Sequence, residues 1–140
     1  KGYLEMRGAD GGSWGNICAL PALWVGLLYD DGALDAAETF IKGITTSDVE
    51  AARIAVAKDG LQAEMAGRSV HKIAHEVLEI AEAGLKSRKL LDSKGEDEVK
   101  YLAPLQKIVK SGKTYADEML DKYYSAWDED ITHIFKEYRY

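Results

Sequence analysis

Two charged residues, placed two positions apart just before a glycine-rich turn, are the strongest candidates for chemistry in this sequence. Glu5 and Arg7 fall in a segment that predicts a β-strand. Because strand side chains alternate between two faces, Glu5 and Arg7 are expected on one face, and Leu4 and Met6 on the other, against a core. A carboxylate can bind Mg²⁺, and a guanidinium matches phosphate oxygens in a bidentate way. The pair is therefore compatible with a metal and phosphate site.

The same spacing has a simpler interpretation, since charged residues on a solvated sheet face often only pair across strands. The glycines that follow have neither the Rossmann nor the Walker spacing and no lysine, so any phosphate binding depends on Arg7. We expect these glycines to allow positive backbone torsions and close helix–strand approach. Asp10 could bind a metal or shape the turn through its own backbone, and we favour the turn.

The longer string from Tyr3 to Asp30, YLEMRGADGGSWGNICALPALWVGLLYD, resembles the start of the C-terminal part of the glutamate-cysteine ligases of plants and many proteobacteria. The resemblance continues at lower density to the stretch from Tyr124 to Tyr140. That family is similar in fold to glutamine synthetase. The resemblance therefore implies an α+β fold class, with this chain as the C-terminal part of a glutamine-synthetase-like catalytic fold. Residues 1–12 would form a strand and turn of the active-site sheet, and residues 17–140 a helical part.

The resemblance also implies a reaction and the residues that serve it. Glu5 would be a magnesium ligand, and Arg7 would bind ATP and act in catalysis by contacting the transferred phosphoryl group. The parent enzyme would use ATP and Mg²⁺ to join the γ-carboxylate of glutamate to the amine of cysteine through an acyl phosphate, the first step of glutathione biosynthesis. The expected partners are these substrates and the missing N-terminal part of the same polypeptide. Because a full site needs more carboxylates than this segment supplies, we predict that it is inactive alone.

Two alternatives remain open at this point. The first is a related carboxylate–amine ligase with another amine acceptor. The second is a non-catalytic helical interaction module, in which Glu5 and Arg7 are only a surface pair.

Composition argues against several other classes. The 140 residues carry a formal net charge of −6, with a pI near 5.1, so a nucleic-acid partner is not expected. The apolar stretch from Ile17 to Tyr29 is shorter than the ~18 to 20 residues that span a bilayer, and no signal-peptide pattern precedes it. We therefore expect no membrane partner and a cytoplasmic protein. A single cysteine, Cys18, fits a reducing compartment and is expected to be a small buried hydrophobe.

Apolar periodicity predicts that the rest of the chain is helical. The first helix, which contains Leu20, Leu23, Trp24 and Leu27, is apolar all round and is expected to be buried, with Pro21 in its first turn. Further helices are predicted near residues 34–42, 48–58 (capped by Thr46 or Ser47, with Glu50 as partner), 70–87, around Pro104, and from a Thr114 cap onward.

Two groups of residues invite a functional interpretation that we do not favour. His71 and His75 are four apart on the 70–87 helix, but Lys72 stands where the zinc-protease signature needs Glu. We expect solvated or edge positions for both histidines. The aromatic residues of the C-terminal third have helical spacing and are expected to pack in a core rather than to bind a ligand; they are Tyr115, Tyr123, Tyr124, Trp127, Phe135, Tyr138 and Tyr140.

Overall fold

The computed structural model describes residues 2, 6, 8–9 and 11–138. This part of the chain is mainly helical and contains one short antiparallel β-hairpin, in keeping with the α+β class. The helices are α1 (Trp14–Leu28), α2 (Asp31–Ile41), α3 (Thr46–Asp59), α4 (Val70–Arg88), α5 (Ala103–Ser111), α6 (Tyr115–Tyr123) and α7 (Ile134–Glu137). Short 3₁₀ helices cover Gly60–Gln62, Glu98–Leu102 and Ile131–His133. The hairpin pairs β1 (Glu64–Met65) with β2 (Arg68–Ser69). The strand predicted around Glu5 and Arg7 lies outside the described residues.

The core forms where α1 packs against α4. Its buried residues come from these two helices, from the 3₁₀ helix before α5 and from α5 itself; they are Ala22, Leu27, Leu78, Ala81, Leu85, Leu102 and Val109. The helices approach so closely that a Cβ on Gly84 would lie 2.0 Å from the Gly26 carbonyl oxygen. A Cβ on Gly26 would lie 2.3 Å from the Ala81 carbonyl oxygen. Backbone therefore packs on backbone at this crossing, which requires glycine at both positions.

The first helix differs from its prediction in two respects. It begins at Trp14, so Pro21 lies in its interior rather than in its first turn. Pro21 has no N–H to donate to the carbonyl of Ile17, and Ile17 is half exposed, so that water can reach this turn. The prediction of burial is right for the second half of α1 and wrong for its start, where Trp14 is 78% exposed.

Short polar side chains cap the starts of α2, α3 and α6. Asp30 accepts a hydrogen bond from the Ala33 N–H (2.9 Å), which starts α2 at Asp31, earlier than predicted. The α3 cap is Thr45, with Asp48 as its capping-box partner, so the predicted cap at Thr46 or Ser47 and the predicted partner Glu50 are wrong. The sequence offers three hydroxyl residues in a row, and only Thr45 stands three before a carboxylate that bonds back to its N–H at 2.8 Å.

The Thr114 cap is confirmed, and Asp117 completes its capping box. Gly112, which ends α5, has a φ of +67° and so adopts the left-handed conformation common after a helix. Pro104 lies in the first turn of α5, where a missing N–H costs little.

Side chains of the C-terminal residues 122–138 pack around Trp127. Trp127 is 2% exposed, its indole N–H donates to Glu137 (2.7 Å), and Lys122 bonds the same carboxylate at 2.8 Å. His133 stacks on the indole and Tyr138 meets it edge-on, with ring centroids 6.0 and 6.1 Å away.

The prediction of aromatic packing is thus right for Trp127. It is wrong for Tyr124 and Phe135, which are 71% and 75% exposed. Both project outward, whereas Trp127 is packed against His133 and Tyr138. Tyr140 lies outside the described residues.

Candidate functional site

The glycine-rich turn leads directly into α1. Ser13 occupies the N-cap position, and residues 14–16 are already helical. A Cβ on Gly12 would lie 2.9 Å from the side chain of Asn16, so close approach requires a glycine here. The φ of Gly12 is outside the left-handed region, which means that the expected positive torsion is wrong at this position. Gly12 therefore serves to bring the incoming chain close to the first turn of α1.

An apolar groove opens beside this turn. It has a volume of about 470 Å³ and is walled by the incoming segment, α1, α5 and the start of α6. We call it the α1 groove; its lining residues are Met6, Gly8, Ala9, Gly11, Asn16, Leu20, Leu23, Trp24, Leu105, Ile108 and Tyr115. None of these lining residues carries a formal charge.

A hydrogen bond ties the two sides of the α1 groove together. The Tyr115 hydroxyl donates to the side-chain oxygen of Asn16 at 3.1 Å, and both side chains are partly buried. This bond joins the first turn of α1 to the first residue of α6. The remaining walls are aliphatic and aromatic, so the groove is suited to apolar side chains more than to a charged ligand.

The predicted site residues Glu5 and Arg7, and also Asp10, lie outside the described residues. Their chain neighbours Met6 and Gly8 line the α1 groove. Met6 was expected to pack against a core; it lines the apolar groove but is 39% exposed. The sequence did not predict that α5 and α6 form walls of this groove, because no local pattern links residues about 100 positions apart.

The two histidines of α4 have different surroundings. The Nε2 atom of His71 lies 2.5 Å from the Val109 carbonyl oxygen, which joins α4 to α5. His75 is exposed, with Nδ1 3.4 Å from a Glu79 carboxylate oxygen. Within residues 11–138 and the four described positions before them, no three His, Cys, Asp or Glu side chains converge as a metal site would require.

Among the described carboxyl groups, Asp92 has the largest pKa shift, and its contacts hold a loop together. The hydrogen bond from Lys100, together with the backbone N–H groups of Glu96 and Lys94, lowers the pKa of Asp92 to about 2. These groups close the loop between α4 and the 3₁₀ helix that precedes α5. An exposed ion pair explains the shift, so Asp92 is not a candidate acid or base.

A family comparison decides what this chain is related to. The sequence model described as "Glutamate-cysteine ligase family 2 (GCS2)" matches residues 1–137. The chain belongs to this family. Among curated relatives, the chloroplastic glutamate–cysteine ligases of Medicago truncatula and Arabidopsis thaliana are each 38% identical over 140 residues, and that of Solanum lycopersicum is 37% identical. The match covers the whole of this chain but 26% of the length of each of these relatives.

The same comparison corrects one prediction about this glutamate–cysteine ligase family member. We expected a cytoplasmic protein from the missing signal pattern and the single cysteine. That expectation is wrong by this comparison, because these relatives are all named as chloroplastic enzymes. Composition could not reveal this, since a single cysteine fits any reducing compartment.

Within the part of the chain that the structure covers, no single helix is long and apolar enough to cross a membrane. Helices α1 and α2 together have the required length and apolar composition, but the chain bends by 90° between them.

Proposed function

We propose that this chain is a segment of an ATP-dependent glutamate–cysteine ligase, the enzyme that makes γ-glutamylcysteine on the way to glutathione. The observation that carries the proposal is the family match over residues 1–137. The names of the relatives, at up to 38% identity, support the choice of substrates. We propose a glutamine-synthetase-like fold for the whole enzyme, in which residues 1–12 would add a strand and a turn to the active-site sheet.

In the proposed reaction, the side-chain carboxylate of glutamate attacks the γ-phosphorus of ATP, which releases ADP and leaves an acyl phosphate. The amine of cysteine then attacks the acyl carbon, the amide bond forms, and inorganic phosphate leaves with loss of a proton from nitrogen. Phosphoryl transfer depends mainly on positioning and on charge neutralisation. Arg7 would supply a fixed positive charge with paired donors for the transferred group.

Glu5 would supply one hard oxygen ligand for Mg²⁺, which neutralises phosphate charge when bound. The donor chemistry fits this ion. Among the described residues no three candidate ligands converge, so we expect the rest of the enzyme to contribute further ligands. For that reason we predict that the 140-residue chain alone forms no product.

The test is a chimera in which this chain replaces the matched 140 residues of the Medicago truncatula ligase. We expect ATP-dependent formation of γ-glutamylcysteine from glutamate and cysteine. Glu5→Asp shortens the ligand's reach, and Arg7→Lys removes the bidentate fork. Each should lower kcat by roughly a hundredfold or more, the usual cost of losing one charge-stabilising contact.

The matched control uses a second Glu/Arg pair of the same chain. Glu50 and Arg53 form an exposed ion pair on α3, with 3.0 Å between Nη2 and Oε2. Glu50→Asp and Arg53→Lys should leave kcat unchanged. If the variants at Glu5 and Arg7 behave like these controls in an active chimera, the site assignment is wrong. A folded chimera without ligase activity would favour the helical interaction module instead.

A further inference from the structure

The α1 groove is a large apolar surface that the described chain leaves open. Leu20, Leu23 and Trp24 of α1 and Ile108 of α5 line it and are only partly buried. Apolar patches of this kind on a folded protein mark binding surfaces. Unlike the isolated exposed side chains elsewhere, such as Ile54 on α3, these residues form a concave surface with a volume of about 470 Å³.

The chemistry of the groove argues for packed side chains over a small polar ligand. Small-molecule sites combine apolar walls with a few polar groups that orient the ligand. Here the Tyr115 hydroxyl already donates to Asn16, and the lining residues that the structure describes carry no charge. The groove therefore resembles one half of a hydrophobic core.

The family relatives indicate what supplies the other half. The matched segment accounts for 26% of the Medicago truncatula and Arabidopsis thaliana ligases, so most of those polypeptides lies outside it. The segment that contributes Met6 to the groove wall is also the one that would join the active-site sheet. A sheet that continues this segment would place its apolar face over α1 and α5, as sheets do when helices cover them.

We propose that the α1 groove is the seat for apolar side chains from the remaining part of the ligase polypeptide, packed there as a shared core. This inference rests on the proposed function, because it takes its occupant from the whole enzyme. The groove would then fix the segment of Met6 and Gly8, and with it the predicted site residues Glu5 and Arg7, relative to the other ligands.

Cysteine labelling tests whether the groove is covered. In a Cys18→Ala background, Leu20→Cys or Ile108→Cys places a thiol in the groove wall, and Lys72→Cys places one on the exposed side of α4. The rate of reaction with N-ethylmaleimide is measured in the 140-residue chain and in the Medicago chimera. We expect the groove thiols to react at least roughly tenfold more slowly in the chimera, because a packed interface excludes the reagent. The thiol at position 72 should keep its rate.

Each other outcome has a defined meaning. Groove thiols that keep their rate in a folded chimera overturn the proposal. If the chimera does not fold, the same thiols are labelled after the 140-residue chain is mixed with the complementary Medicago segment, and unchanged rates there also overturn it. A rate that falls as the concentration of the isolated chain rises identifies a second copy as the occupant, against the proposal.

The two proposals can fail separately. A chimera with protected groove thiols and no γ-glutamylcysteine product refutes the ligase assignment and leaves the seat intact. An active chimera with unprotected groove thiols refutes the seat alone.

Discussion

The contact between α1 and α4 predicts a large effect of a single methyl group. In Gly84→Ala the new Cβ would lie 2.0 Å from the Gly26 carbonyl oxygen and 2.8 Å from the Ala33 Cβ. Carbon–oxygen contacts ordinarily begin at ~3.3 Å, so the helices must separate by about 1 Å. The obstacle is backbone, which cannot rotate away as a flexible side chain can.

The magnitude follows from two opposing terms. Overpacking of a tight core costs about 1–3 kcal/mol, and a backbone clash belongs near the upper end. Alanine is a better helix former than glycine by about 1 kcal/mol, which offsets part of that cost. We expect Gly84→Ala to lower the free energy of unfolding by about 2 kcal/mol. In a chain of this length that loss corresponds to a fall in Tm of roughly 8 °C.

The assay is urea and thermal unfolding followed by far-UV circular dichroism. Gly15→Ala is the control on α1, because its Cβ would meet the Pro104 Cγ at 3.4 Å and the Ser13 Oγ at 3.9 Å, which are ordinary contacts. This control should be neutral or stabilising by up to about 1 kcal/mol. A Gly84→Ala chain as stable as wild type, with an unchanged denaturant slope, would refute the close approach of the helices.

A double variant adds a second check on the same contact. Gly26→Ala meets the Ala81 carbonyl oxygen at 2.3 Å across the same interface. Once one methyl has separated the helices, the second is accommodated at lower cost. The combined loss of stability should therefore be smaller than the sum of the single losses. Strict additivity would mean that the two glycines do not share one contact.

Two further predictions concern a carboxyl and a turn. Asp92 has a folded-state pKa of about 2, lowered from 3.8, chiefly by the Lys100 hydrogen bond. The contribution of Asp92 to stability should be complete above pH ~4 and lost as the pH falls through about 2. Carboxyl NMR titration should show a midpoint near 2, and Lys100→Met should return it toward 3.8. A wild-type midpoint near 4 would contradict the ion pair. In the turn after α6, Glu129 has a φ of +62°, which glycine adopts more easily than other residues. Glu129→Gly should therefore raise the free energy of unfolding by about 0.5–1 kcal/mol, and Glu129→Val should lower it, as measured by chemical denaturation. Equal effects of the two variants would contradict strain at this turn.

Helix α4 shows how much of the fold follows from local pattern. Its apolar stripe predicts a helix over residues 70–87, and the structure has Val70–Arg88 with Ile73, Leu78, Ala81 and Leu85 buried. The pattern works because this helix packs against α1, α2 and α5, and Leu78, Ala81 and Leu85 belong to the shared core. Where a helix lacks such a partner, as at the start of α1, an apolar sequence did not lead to burial.

The β-hairpin shows what the pattern could not reveal. Its two turn residues, Ala66 and Gly67, both have positive φ, at 52° and 71°. Such turns are usually announced by Asn-Gly or Asp-Gly. The turn has Ala66 where asparagine or aspartate would be expected, so the sequence does not indicate it. The two strands have two residues each and are too short for an alternating pattern.

The candidate site divides in the same way. The Glu5 and Arg7 assignments depend on a local motif and stay predictions, whereas the α1 groove depends on tertiary packing. Asn16 and Tyr115, which both line it, are 99 positions apart. No reading of neighbouring residues could have joined them.

The Trp127 cluster has a consequence for the order of folding. Its hydrogen bonds join residues only 10 and 15 positions apart, whereas the bond between Tyr115 and Asn16 spans 99. Closing the longer loop costs about 2 kcal/mol more chain entropy than closing the 10-residue one. Local contacts of this kind form quickly, and distant ones wait for more of the chain to be ordered. The C-terminal turn is therefore expected to enclose its tryptophan before the α1 groove acquires its walls.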